Sequence, residues 1–262
     1  MKKISLILAF ALMVSVANAW NKSADEGVVI LAKMHLSVDA MNLLNEHLGE
    51  SYANDVEYLY ALEKKNTAKH SKEIHYLHLD SNLKPTKVAG EDALAGIESA
   101  LDIVRNRTSY SKGEVVKALR TIVNLICDMH NFGRVRIEGI AHSQQEFKFD
   151  CFAGDIGKRK KSTPVSWSKF WNAYAGWHTG FSGDLWAEDM ELCLGARREE
   201  LSAGGLNEWA TQIGEKATEL YGRINPEYVM TRRERNELEE LNYEMMARAG
   251  YRLAVLLNEA VN

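Results

Sequence analysis

Residues 111–134 read SKGEVVKALRTIVNLICDMHNFGR. Ser111 and Glu114 stand at capping-box spacing: the serine hydroxyl meets the N–H of Glu114, and the glutamate carboxylate returns to the N–H of Ser111. The spacing predicts a helix that opens here and reaches about Asn131, with Asn124 and Asp128, four residues apart, on one face. Thr231 and Glu234 repeat the signal and open a helix running almost to the C-terminus. Upstream, Leu31, Met34, Val38, Met41, Leu44 and Leu48 recur at helical spacing from Asp25 until Gly49 stops the pattern. Further helices are expected over 52–63, 90–105 and 206–223, with shorter ones over 166–174 and 183–195. Proline is confined to Pro85, Pro164 and Pro226, which favours long helices.

Little of the chain reads as sheet. Glu73–His78 reads as extended or as an irregular buried segment. Glu146–Ile156 alternates loosely, and a small hairpin is expected there. Lys158-Arg159-Lys160-Lys161 is a basic run in a loop, read as a solvated turn. No internal repeat, low-complexity segment or linker divides the chain. The expected fold is all-α, a single helical domain with a minor β-hairpin.

The first residues, MKKISLILAFALMVSVANA, place Lys2 and Lys3 before an apolar run from Ile4 to Val16. Ala17-Asn18-Ala19 follows as an A-x-A cleavage site, so residues 1–19 read as a secretory signal peptide. The run is short for a span of ~20 residues, and no later segment is long and apolar enough to cross a bilayer. Cleavage would leave residues 20–262, starting at Trp20, in the periplasm or the medium. Loss of Lys2 and Lys3 leaves 30 basic against 36 acidic side chains, a net charge of about −6 with neutral histidines. Such a chain does not hold nucleic acid by overall charge, so that role would need a bound metal or a local basic patch. Cys127, Cys151 and Cys193 allow at most one disulfide, and buried free thiols are expected.

There is no phosphate-binding glycine loop, no G-x-S-x-G and no H-E-x-x-H. The chemistry-bearing residues are scattered. A Trp20 N-terminus would offer a neutral amine and its own carbonyl as a five-membered chelate. Asp55 follows in Ala53-Asn54-Asp55, and His75 and Tyr76 follow in Ile74-His75-Tyr76-Leu77. Asn124, Asp128, His130 and Arg134 come next, then Ser168 and Asn172 in Ser166-Trp167-Ser168-Lys169-Phe170-Trp171-Asn172. The chain ends with Ala249-Gly250-Tyr251-Arg252-Leu253-Ala254-Val255-Leu256-Leu257-Asn258.

In that order these pieces resemble the S1/P1 nuclease family, secreted helical enzymes of the phospholipase C/P1 nuclease-like fold that use three zinc ions to cut single-stranded nucleic acids. The family starts its mature chain with Trp. It carries W-A-D, W-H-Y-I-N, H-F-x-G-D-x-H-Q-P-L-H and N-L-H-x-x-W-D, and often ends in A-G-x-R-L-A-x-x-L-N. The ordered set, rather than any single piece, carries the resemblance, and it covers the whole mature chain.

The resemblance implies metal ligation by Trp20, Asp55, His75 and Asp128, with Asp25 where the family has a histidine. Asp55 and Asp128 are the implied catalytic carboxylates. Four ligand positions depart from the pattern: Asn124, Arg134, Ser168 and Asn172 stand where His, His, His and Asp are expected. None of the last three is a credible zinc ligand, so one or two Zn²⁺ ions at most are implied. The oxygen-rich Trp20, Asp25 and Asp128 set suits Mg²⁺, Mn²⁺ or Ca²⁺ as well.

Tyr76 stands where the family stacks a base, with core packing as the alternative. Arg134 puts a fixed cation where a metal sat, and it could hold a phosphate. His142 would replace a missing imidazole if the loop after Arg134 folds back. The implied activity is metal-assisted phosphodiester hydrolysis of single-stranded DNA or RNA, weakened or lost by these replacements. The alternative is a non-catalytic protein that binds nucleotides, nucleic acid or another phosphorylated ligand. A monomer is expected.

Overall fold

The computed structural model describes residues 19–50, 72–86, 92–151, 163–174 and 180–261. Asp55, the helix expected over 52–63 and the basic run at Lys158–Lys161 lie outside these residues, as does the apolar leader up to Asn18. The described chain is mostly helical with two small sheets.

The apolar stripe counted from Asp25 to Leu48 is two helices, α1 (Lys22–Met34) and α2 (Val38–Leu48). The His35 N–H closes α1 on the Ala32 carbonyl, and the Leu36 N–H caps the Lys33 carbonyl. Ser37 then accepts from the Ala40 N–H at 3.2 Å and starts a new helix. Met34 and Val38 flank this break and are exposed, so they do not belong to the buried face. Gly49, at φ +86°, ends α2 where the sequence places the stop.

Helix α3 (Ala93–Arg105) packs on α4 (Lys112–His130). Both halves of the Ser111–Glu114 capping box are formed. Beyond Ile122 every residue of α4 is buried, because this end runs into the core against α8 (Arg232–Val261). The Thr231–Glu234 box opens α8, thirty residues and ~45 Å long. Helix α1 lies across α8 and across α5 (Gly183–Leu194). Two glycines permit that approach. A Cβ on Gly27 would fall 2.4 Å from Trp186 Cβ, and one on Gly250 would fall 3.0 Å from the Val28 carbonyl. The short helix α6 (Arg198–Ser202) and α7 (Leu206–Arg223) complete the helical layer.

Strand β1 (Leu77–Leu79) pairs in parallel with β2 (Val135–Ile137), Leu77 opposite Val135. The sequence suggests a hairpin within Glu146–Ile156. Instead β3 (Lys148–Cys151) is the centre of a three-stranded sheet. It pairs antiparallel with β4 (Thr163–Ser166) and parallel with β5 (Val229–Met230). Pro164 lacks an N–H and sits on an edge strand, where that loss is tolerated. Beneath this sheet Phe147, Phe149, Trp167 and Trp171 form an aromatic core with Phe132 and Tyr221. The three cysteines are free. No described helix is long and apolar enough to cross a membrane.

Candidate functional site

Four segments converge at the C-terminal end of α4. The α1 N-terminus delivers Trp20 and Asp25. The segment before β1 delivers His75 and Tyr76. The turn between α4 and β2 delivers Arg134, and β2 adds Arg136. The β1–β2 pairing fixes the last two groups side by side, with His78 opposite Arg136.

Asp128 is fully buried at the centre. Its Oδ2 is 2.7 Å from His75 Nδ1, and its Oδ1 lies 3.7 Å from Arg134 Nε. Asp25 is also fully buried, and its Oδ1 accepts from the Trp20 backbone N–H at 3.1 Å. Burial pushes the Asp25 carboxyl well above its ordinary range, and the nearby Asp128 charge adds to this. The Trp20 N–H and the Arg134 charge pull the other way. Cys127, fully buried beside both acids, has its thiol pushed up by burial first and by their charges second. It is therefore a neutral packing group rather than a thiolate ligand.

Trp20 is buried and doubly anchored. Its indole N–H donates to Asn242 Oδ1 at 2.8 Å, and its backbone N–H is held by Asp25. The preceding carbonyl, of Ala19, accepts from the Asn131 side-chain amide. Asn172, with its amide nitrogen turned inward, donates to the same carbonyl at 2.7 Å and to the Ser168 carbonyl at 3.0 Å. Two amide donors thus surround an oxygen at the mouth of the acid pair. Asn124 donates to the Arg120 carbonyl at 3.0 Å, and no donor among the described residues meets its Oδ1.

Other expected residues are used elsewhere. The Ser168 hydroxyl donates to Glu146 at 3.0 Å. His142 lies 3.1 Å from the Tyr221 carbonyl and packs edge-on against Phe147 and Tyr221, so it supplies no imidazole to the acid pair. Its ring fills an aromatic cluster that a loop histidine can reach only with its polar nitrogen satisfied. Tyr76 is half-buried, and it packs on guanidinium groups rather than in the apolar core. Arg136 lies 4.3 Å and Arg134 5.5 Å from the ring centre. Asn131, Arg136 and Asn242 join the site without having been singled out in the sequence. Arg136 follows Arg134 by two residues, Arg134 in the turn and Arg136 in β2, and this pair of nearby basic residues was the available signal.

The donor set decides what metal could fit. Among the described residues no three His, Cys, Asp or Glu side chains are grouped to hold an ion. His75 Nδ1 and Asp128 Oδ2 are in direct hydrogen-bond contact, closer than two ligands ~2.0 Å from a tetrahedral zinc would stand. Among the described residues, Arg134, Ser168 and Asn172 supply no zinc ligand, and Asp55 lies outside them. Asp25 Oδ2 and Asp128 Oδ1 are buried and lack a hydrogen-bond donor among the described residues. These two oxygens could share one cation, in competition with Arg134. No protein-family model matches the chain, and no curated protein matches it.

Proposed function

We propose that the chain is an exported, divergent relative of the S1/P1 nucleases whose site binds a phosphorylated ligand, a nucleotide or single-stranded nucleic acid, without the family's ordinary hydrolysis. The supporting observation is Arg134. Its guanidinium stands 3.7 Å from the buried Asp128 carboxylate and over the Tyr76 ring. A fixed cation therefore balances the buried acid where the resemblance expects a metal ligand. Arg134 and Arg136 bring two guanidinium charges together, a pairing suited to a phosphate, with Arg136 Nη1 also donating to the Ser143 carbonyl. Tyr76 beside them offers an aromatic surface to a base once Arg136 moves off the ring, a stacking worth about 1–3 kcal/mol.

In a chain cut after Ala19, the amides of Asn131 and Asn172 would be released from the Ala19 carbonyl and could hold a phosphate oxygen. His75 stays oriented by Asp128, and Asp25 stays oriented by the new amine. A single divalent ion, if bound between Asp25 and Asp128, would polarise a phosphoryl oxygen. The two donor-free oxygens on those acids favour residual metal-dependent hydrolysis as the second reading.

The test is titration of the mature chain, beginning at Trp20, with a thymidine mononucleotide and a short oligothymidylate in chelator. Saturable binding that weakens at least about tenfold, or ~1.4 kcal/mol, in both Arg134→Gln and Tyr76→Ala supports the reading. Absence of binding, or binding indifferent to both changes, refutes it.

A further inference from the structure

A cavity of ≈ 520 Å³ opens between α6, α7 and α8, lined by separate residues from those around Asp128. Ile213, Leu241 and Met245 form an apolar floor, and Arg252 stands at its inner end. Arg252 is fully buried, yet no carboxylate among the described residues touches it. Its Nε donates to the Leu201 carbonyl at 3.1 Å, Nη1 meets His130 Nε2 at 3.0 Å, and Nη2 donates to Gln212 Oε1. His130 Nδ1 is bonded to the Ile126 carbonyl at 2.8 Å. That bond fixes the neutral tautomer, so His130 accepts from Arg252 and brings no charge.

A guanidinium has five N–H donors. Three of those on Arg252 are used, and the other two have no partner among the described residues. A buried cation with neutral partners is costly unless an anion joins it. The cavity's own carboxylates are committed elsewhere. Both Glu200 oxygens bind Arg197, and Glu244 is shared by Arg197 and Arg248. Lys216 is paired with Glu219 at 2.7 Å, and counting Arg197, Lys216, Arg248 and Arg252 against Glu200, Glu219 and Glu244 leaves one positive charge around the cavity. Burial pushes the Arg252 pKa down to about 9, and it remains a cation at neutral pH.

Gln212 identifies the point of approach. It is exposed, on the outer side of α7, and among the described residues its flexible amide is the only side-chain oxygen on Arg252. We propose that this cavity binds a small organic carboxylate with an apolar body, whose carboxylate displaces the Gln212 amide from Arg252 while its chain covers Ile213, Leu241 and Met245. The planar carboxylate matches the guanidinium fork, its single charge balances the lining, and the cavity volume suits a small ligand.

The experiment is calorimetric titration of the mature chain with octanoate, with 1-octanol and inorganic phosphate as parallel probes. One saturable octanoate site is expected, with both parallel probes at least about tenfold weaker. Gln212→Glu places a carboxylate on Arg252 within the chain. It should keep or raise the melting temperature and weaken octanoate at least about tenfold. Gln212→Ala should bind octanoate as well as the parent or better. Failure of octanoate to saturate would overturn the proposal, as would octanol or phosphate binding equally well. Octanoate binding unchanged in Gln212→Glu would overturn it too. The melting temperature of Gln212→Glu separates loss of binding there from loss of the fold.

Discussion

Replacing Arg134 with glutamine removes the cation beside two buried carboxylates while keeping much of the side chain's length. Asp128 is fully buried, Arg134 is 8% exposed, and the pair stands at 3.7 Å. With an effective dielectric near 20, that separation corresponds to an attraction of about 4.5 kcal/mol. Part of it is offset because Arg134 no longer has to be desolvated, and breaking a buried pair typically costs about 3–5 kcal/mol. The contact is longer than a hydrogen bond, which places the expected loss at about 3 kcal/mol. For a chain of this size that is a fall of ~6–12 °C in melting temperature. The assay is thermal and urea unfolding of parent and variant near neutral pH, with chelator present so that no added cation substitutes for the guanidinium. Arg134→Lys should recover part of the loss by restoring charge without the fork. A change below ~2 °C would show that Arg134 does not balance Asp128, and the charge-replacement reasoning would fail.

Asn242→Leu should cost about 1–3 kcal/mol in urea unfolding, because it leaves the buried Trp20 indole N–H without its acceptor. Gly27→Ala places a Cβ 2.4 Å from Trp186 Cβ and should cost about 1–3 kcal/mol, read as a lower melting temperature. His130 is held neutral by burial first and by the Arg252 charge second, so its pKa lies well below 6.5. The unfolded chain therefore binds the extra proton as pH falls through that value. Stability should be flat above it and fall by up to ~1.4 kcal/mol per pH unit below it. Denaturation midpoints measured from pH 7 to 5 should show this slope reduced in His130→Gln, and equal slopes would contradict it.

Local rules served the sequence reading where a helix boundary depends on a few adjacent residues. Both capping boxes formed, Gly49 ended its helix, and α7 occupies 206–223. The break between α1 and α2 was hidden because Met34 and Val38 continue an apolar rhythm across it, while the decisive bond comes from Ser37. The sheet was misjudged for a longer-range reason: β3 takes partners at 163–166 and 229–230, which alternation within 146–156 cannot reveal. At the site, spacing placed Asn124 and Asp128 on one face, and the ordered motifs named Trp20, Asp25, His75 and Arg134, which the fold brings together. Asn131, Asn242 and the Tyr76–Arg136 contact depend on residues far apart in the chain or on strand register, so no local pattern marked them. His142 had the right chemistry and the wrong neighbours, being drawn into the Phe147–Tyr221 cluster.

The most direct measurement follows one labelled single-stranded oligonucleotide through two assays with the chain that starts at Trp20. Binding is read in chelator, and cleavage is read with Zn²⁺, Mg²⁺ or Mn²⁺ added. Arg134 in place of a metal ligand predicts binding in chelator that depends on Arg134 and Tyr76, with no cleavage under any of the three ions. Metal-dependent cleavage abolished by Asp128→Ala would contradict it.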